Sequence, residues 1–137
     1  MLCFMGPHER HLRDLYAAIS AAASPDELEA FFHPHAEQIE YPSLMRPEGH
    51  RRTLGEMTAA SELGRRMIRS QVYDVHTVIE DGDRVAVQLT WTAVLAQQVA
   101  GLDAGSRLVS HAAAFYVFRD GLVLTQSSYD CYEPLPH

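Results

Sequence analysis

The side chains that could move a proton or hold an oxygen gather near the end of this sequence. Gln126, Ser128 and Asp130 alternate in the run QSSYD, so in a strand all three project from one face. An aspartate set among aromatic side chains is poorly solvated as an anion. Its carboxyl then releases its proton late and can serve as general base or as a neutral donor. The competing reading is an exposed aspartate near a strand end, the commoner place for that residue. Trp91 and Tyr116, in neighbouring β-rich runs, are the expected apolar wall of the same site. Glu40 and Tyr41, just before Pro42, form a second group. Neighbours in a strand face opposite ways, so one of them faces in and the other out. The reading adopted turns Tyr41 inward as a donor and leaves Glu40 in solvent; a one-residue slip would reverse the two. Tyr16 lies on the apolar stripe of a helix, where its hydroxyl either meets a substrate or is satisfied within the core. The expected catalytic pair is thus Asp130 and Tyr41, with Tyr16, Trp91, Tyr116, Gln126 and Ser128 as substrate contacts.

Other chemistries find less support. His8 and His11 sit three apart, and His33-Pro34-His35 is an HxH, but neither has a third ligand at a supporting spacing. There is no HExxH, and Ser127 and Ser128 lack a GxSxG elbow. No metal and no cofactor are expected. The net charge of -7 disfavours nucleic acid and anionic membrane as partners and suits a small uncharged or cationic molecule. No run approaches the ~18 apolar residues of a membrane span. Residues 1–7 are apolar but short, without a basic start, and read as a loose tail. With only Cys3 and Cys131, free thiols in a reducing cytoplasm are expected.

These residues need a scaffold, and the hydrophobic periods supply one. With 137 residues, 47% hydrophobic and 21% charged, the chain reads as one globular domain able to bury a core without staples. His8 to Ala23 carries Leu12, Leu15, Tyr16, Ile19 and Ala23 at helical spacing. Ser24-Pro25-Asp26-Glu27 restarts a short helix, with Ser24 as cap. Ala36 to Tyr41 reads as a strand and residues 43–52 as a loop. Thr53 and Glu56 open a third helix, with Leu54, Met57, Ala60, Leu63, Gly64, Met67 and Ile68 on one face and Arg65, Arg66 and Arg69 as its solvated, C-terminal cations. From Gln71 the period becomes two. Strands are expected over 71–80 and 84–97, joined at Asp81-Gly82-Asp83, then a loop over 98–106, then a hairpin turning at Asp120-Gly121, a strong two-residue turn signal. Helices set against an antiparallel sheet make an α+β fold.

Alternation orients the closing strands. Val85, Val87, Leu89, Trp91 and Ala93 are expected inward, as are Ser110, Ala112, Ala114, Tyr116 and Phe118. In the last strand Leu122, Leu124, Gln126, Ser128, Asp130 and Tyr132 are taken as the inward row. His111, Ala113, Phe115 and Val117 then form an apolar outer face, which predicts a homodimer through that face.

The chain resembles the nuclear transport factor 2-like superfamily, in its SnoaL-like and ketosteroid-isomerase-like branches. The likeness spans roughly residues 8–133. It rests on Tyr16-Ala17-Ala18-Ile19, Phe31-Phe32-His33-Pro34-His35-Ala36, Gln38-Ile39-Glu40-Tyr41-Pro42, Asp81-Gly82-Asp83-Arg84-Val85-Ala86-Val87 with Trp91-Thr92, Phe118-Arg119-Asp120-Gly121, and Tyr129-Asp130-Cys131-Tyr132-Glu133-Pro134. The resemblance implies a single SnoaL-like domain over 1–137, a cone-shaped α+β (cystatin-like) fold with three N-terminal helices on a curved, mostly antiparallel sheet, and a small apolar or aromatic ligand. It also implies that Tyr41 stands where ketosteroid isomerases carry their catalytic aspartate, that Tyr16 falls near their oxyanion-binding tyrosine, and that a late strand such as that of Asp130 often holds a working carboxylate. Ala114 stands about where the second oxyanion-binding acid would be, so steroid isomerisation itself is not expected. A cofactor-free isomerase or cyclase, and a non-catalytic ligand-binding or accessory protein, both remain compatible with these residues.

Overall fold

Pro7 at the start of the first helix and Ser24-Pro25 at the start of the second do what their chemistry dictates. Both prolines occupy first-turn positions, where a missing N–H costs nothing, and the Ser24 hydroxyl accepts from the Glu27 N–H. In the computed structural model, which describes residues 4–135, the order is α1 (Pro7–Ser20), α2 (Pro25–Glu29), β1 (Phe32–Glu40), β2 (His50–Thr53), α3 (Leu54–Met67), β3 (Ile68–Asp81), β4 (Arg84–Leu95), β5 (Arg107–Arg119) and β6 (Leu122–Tyr132). Cys3 and the first residues of the expected tail lie outside the described residues. Thr53 and Glu56 form the reciprocal capping box that their spacing predicts. The chain is α+β, with one six-stranded, mostly antiparallel sheet in the order β2-β1-β6-β5-β4-β3; β1 runs parallel to β6 and the other pairs are antiparallel.

The core lies between α1 and the inner sheet face. Leu12, Leu15 and Tyr16 of α1 meet Val85, Val87 and Leu89 of β4, Ala112, Ala114, Tyr116 and Phe118 of β5, and Val123 of β6. The inward rows expected for β4 and β5 are those found, except that Trp91 is only partly buried. The β5–β6 turn has Asp120 at φ 54° and Gly121 at φ 75°, the mirror-image turn whose twist suits a hairpin.

Five expectations give way. Helix α1 ends at Ser20, not Ala23, because Ala22 turns to φ 57°. The first strand starts at Phe32 rather than Ala36. Pro34 is tolerated there because the β1–β6 register shifts between Phe32 and Glu37, so no ladder bond is lost at the proline. Residues 50–52, expected as loop, form the edge strand β2 together with the cap residue Thr53. Gly49 makes it possible: its φ is 70°, and a Cβ there would sit 2.6 Å from the Glu40 carbonyl oxygen, so only glycine lets the chain fold back on β1. Helix α3 buries none of its residues fully, and Leu63 is 57% exposed. It packs on α2, β1, β2 and β3. In β6, finally, Val123 faces the core at 0% exposure, not Leu122 and Leu124. A bulge shifts the β5–β6 register between Val117 and Phe118, pairing Phe118 with Val123 but Tyr116 with Gln126. The extra residue flips the strand's facing, so alternation counted from the turn is right only beyond the bulge.

Candidate active site

Beyond that bulge, Gln126, Ser128, Asp130 and Tyr132 pair with the inward residues Tyr116, Ala114, Ala112 and Ser110. They share the inner face with Gln38 and Glu40 of β1, which pair with Gln126 and Ser128. Alternation on β1 runs the same way: Ala36 is buried, and Gln38 and Glu40 follow it on the inner side.

Asp130 is partly buried and accepts from the Ser110 hydroxyl at 3.2 Å; Ser110 itself is wholly buried. Loss of solvent raises the Asp130 carboxyl above its ordinary 3.8. The hydrogen bond from Ser110 opposes this, the negative charge of Glu40 adds to it, and Ser128 opposes it again. Around it stand four tyrosines. The Tyr16 and Tyr116 hydroxyls meet at 2.6 Å, and the Tyr16 ring stacks on Tyr73 at 4.7 Å and 8°. Burial pushes Tyr16 up to about 12, despite the hydrogen bond from Tyr116 and the charge of Arg13. Burial likewise raises Tyr73 and Tyr116, and it lifts Tyr132 to about 12 with help from Asp130 and Glu40. All four therefore stay neutral at ordinary pH and act as donors rather than bases. In the Tyr16–Tyr116 pair two hydroxyls share one bond, which leaves one proton free for another acceptor. Trp91 donates from Nε1 to Gln71 at 3.0 Å and meets Tyr132 edge-on at 6.5 Å.

Glu40 accepts from Arg52 Nη1 at 2.6 Å, and the same nitrogen donates to Gln38 at 3.0 Å. Arg46 approaches the other Glu40 oxygen at 3.4 Å. Tyr41, by contrast, does not face the interior. It is 38% exposed and its ring stacks on Tyr129 at 4.4 Å, with Phe115 edge-on to Tyr129 at 6.1 Å. The three aromatics form an exposed patch on the outer sheet face. The inward placement expected of Tyr41 is therefore corrected: without any slip, alternation gives the interior to Glu40.

Of the residues singled out by sequence, Asp130, Ser128, Gln126, Tyr16 and Tyr116 come together, and Trp91 joins them through Tyr132. Tyr116 is a core side chain at 2% exposure; it stands opposite Gln126 and its hydroxyl meets that of Tyr16. Sequence reasoning missed Tyr73, Gln38 and Arg52. Tyr73 pairs with Trp91 across the β3–β4 hairpin, but the register shifts between Val75 and Thr77, so counting back from Asp81-Gly82-Asp83 sets Asp74 opposite Trp91 and misses Tyr73. The histidines are dispersed: His8 stacks on Phe118, His11 bonds the Phe31 carbonyl, and His33 lies 3.8 Å from Asp120. Cys131 carries an exposed, free thiol.

Among the described residues, two surface clefts bear on the site. The larger, about 340 Å³, lies against α2 and is lined by Asp26, Glu29, Phe32, Pro34 and Leu54, away from the carboxyls. The smaller, about 230 Å³, runs between α1 and β3 and has the Tyr16–Tyr73 stack in its wall, with Val72 and Val75 beside it. The smaller reaches the tyrosine cluster, but neither cleft is lined by Asp130, Gln126 or Ser128.

Known structures share this architecture. AclR from Streptomyces galilaeus, a proposed hydroxylase, superposes with a TM-score of 0.73 at 20% identity, covering 93% of this chain and 76% of AclR. A proposed polyketide cyclase from Xanthomonas campestris gives 0.74 at 20% identity over 90% and 89% of the two chains. A protein of ketosteroid-isomerase-like fold from Catenulispora acidiphila, in complex with trimethylamine, gives 0.69 at 14% identity over 87% and 83%. At such identities the likeness establishes the fold. No curated protein matches. The family model described as SnoaL-like domain matches residues 12–125, most of the chain, and the protein therefore belongs to the SnoaL-like domain family.

Proposed function

We propose that this protein is a cofactor-free acid–base enzyme of the isomerase or cyclase type, acting on a small, mostly apolar metabolite. The observation that carries the reading is Asp130: a carboxyl drawn up by burial, hydrogen-bonded by Ser110, and set beside a tyrosine hydroxyl pair with a proton to spare. The Asp130 carboxylate removes a proton from a carbon next to a carbonyl. The electron pair of that C–H bond moves into the enolate, whose oxygen takes a hydrogen bond from Tyr16. Return of the proton to another carbon completes an isomerisation; attack of the enolate carbon on a second carbonyl, with the proton passed to the new alkoxide, completes a cyclisation. Gln126 and Ser128 orient the substrate's oxygens. The likeness to a proposed polyketide cyclase supports a substrate with several carbonyls along an apolar chain.

The test is turnover of a panel of poly-β-carbonyl esters and enones by the wild type and Asp130→Asn. The variant should fold normally and lose turnover by ~100-fold or more, the usual scale for a proton-moving group. Unchanged turnover would remove Asp130 from the mechanism. A second reading, a ligand-binding protein without chemistry, is favoured by one observation: the other interior carboxylate, Glu40, is already engaged by Arg52. Under that reading Asp130→Asn binds the same ligands and no member of the panel turns over. In either case we propose a cytoplasmic homodimer that covers the outer face, where Phe115 and Tyr129 are each 48% exposed.

A further inference from the structure

Arg52 is only 6% exposed, a rare place for a guanidinium unless it is paired. Strand β2 sets it directly opposite Gln38 of β1. From there one nitrogen, Nη1, spans Gln38 at 3.0 Å and Glu40 at 2.6 Å. Glu40 lies opposite Ser128 in the parallel β1–β6 pair, and Asp130 is the next residue on the same face of β6. Two carboxyls thus approach one another across β1 and β6, but a guanidinium serves only one of them. A carboxylate held by a buried guanidinium is fixed in position, since separating the pair would leave a buried charge uncompensated. Like charges in one site resist joint ionisation. The exchangeable proton therefore belongs to the carboxyl without a guanidinium.

We propose that Arg52 is a positioning residue: it pins Glu40 in place beside Asp130, and so makes Asp130 the carboxyl through which the proton passes. The proposal deepens the acid–base reading above and rests on it for its use, because it names what separates the roles of two similar side chains. Arg46, half exposed and 3.4 Å from the other Glu40 oxygen, is the partner Glu40 turns to when Arg52 is lost. That movement takes its charge away from Asp130.

The experiment follows the Asp130 side-chain carboxyl by ¹³C NMR titration in the full chain, comparing the wild type with Glu40→Gln, Arg52→Gln, Arg52→Lys and the double variant Glu40→Gln/Arg52→Gln. Glu40→Gln is nearly isosteric and keeps an oxygen for Arg52. It should weaken proton binding at Asp130 by about three- to tenfold, up to one unit of midpoint. Arg52→Gln should weaken it by a similar factor and Arg52→Lys should restore most of the loss. The double variant should shift no further than Glu40→Gln alone, because Arg52 acts through Glu40. An unmoved Asp130 midpoint in Glu40→Gln, or in a folded Arg52→Gln, overturns the proposal, as does a double variant whose shift is the sum of the two. Arg52 then only packs β2 against β1. Should Arg52→Gln not fold, Glu40→Gln and Arg52→Lys decide: Glu40→Gln must shift and Arg52→Lys must stay near wild type. Failure of the acid–base reading looks different, for there Asp130→Asn keeps its turnover while these titration shifts persist.

Discussion

The hydroxyl pair of Tyr16 and Tyr116 offers the sharpest test of how the site is built. The two oxygens lie 2.6 Å apart, between side chains that are 6% and 2% exposed. Tyr116→Phe leaves the Tyr16 hydroxyl without its partner at a place with little access to water. A buried polar group orphaned in this way costs about 1–3 kcal/mol. For a chain of this length that is roughly 4 °C of melting temperature per kcal/mol, or about 4–12 °C in all. Tyr16→Phe should cost a similar amount for the same reason seen from the other side. The double variant removes both hydroxyls, keeps both rings and strands neither group, so it should cost clearly less than the sum, with a coupling of about 1–2 kcal/mol. Urea unfolding of the wild type, the two single variants and the double variant, with the denaturant slope constant across the set, measures this directly. Additive losses would refute the reasoning, since they would mean that each hydroxyl has another partner and the pair does not hold the site together.

Two further outcomes follow from the same geometry. The raised Asp130 carboxyl binds its proton more tightly in the folded chain than in the unfolded one. Its contribution to stability is therefore complete below the ordinary value of 3.8 and is lost as pH rises through the raised value. Asp130→Asn should accordingly gain stability relative to the wild type as pH climbs through that window and hold the gain above it; melting curves from pH 3 to 8 that stay parallel would contradict this. On the outer face, a charge at Tyr129, as in Tyr129→Glu, buries badly against a second copy but sits easily in water. It should convert the proposed dimer to monomer by light scattering while costing the monomer about 1–2 kcal/mol, the worth of the Tyr41 and Phe115 contacts it gives up; a wild type that is monomeric at all concentrations refutes the proposed interface.

What sequence alone reveals here follows the reach of each physical signal. Turns and caps are local, so Ser24, the Thr53–Glu56 box and the Asp120-Gly121 turn stand where their chemistry puts them. Alternation is local too, and it orients β4 and β5 correctly because both strands run without interruption between their turns. It misleads at Leu122 and Leu124 because a bulge is a single inserted residue, and nothing in LVLTQ distinguishes it from regular strand until β5 fixes the pairing. Asp130 is found in spite of this because the row chosen on Leu122 and Leu124, though it faces out at those two residues, faces in beyond the bulge. The Glu40–Tyr41 choice fails for a different reason. Base rates send carboxylates to solvent, yet a carboxylate can lie inside when a cation lies inside with it. That cation, Arg52, comes from a strand that exists only because Gly49 permits a turn onto the Glu40 backbone. Burying Glu40 and forming β2 are thus one event, and neither could be read from its own stretch of chain. The same dependence makes the inner face of β1 sensitive to position 49: a side chain there would push β2 off, release Arg52 and leave Glu40 to Arg46 alone.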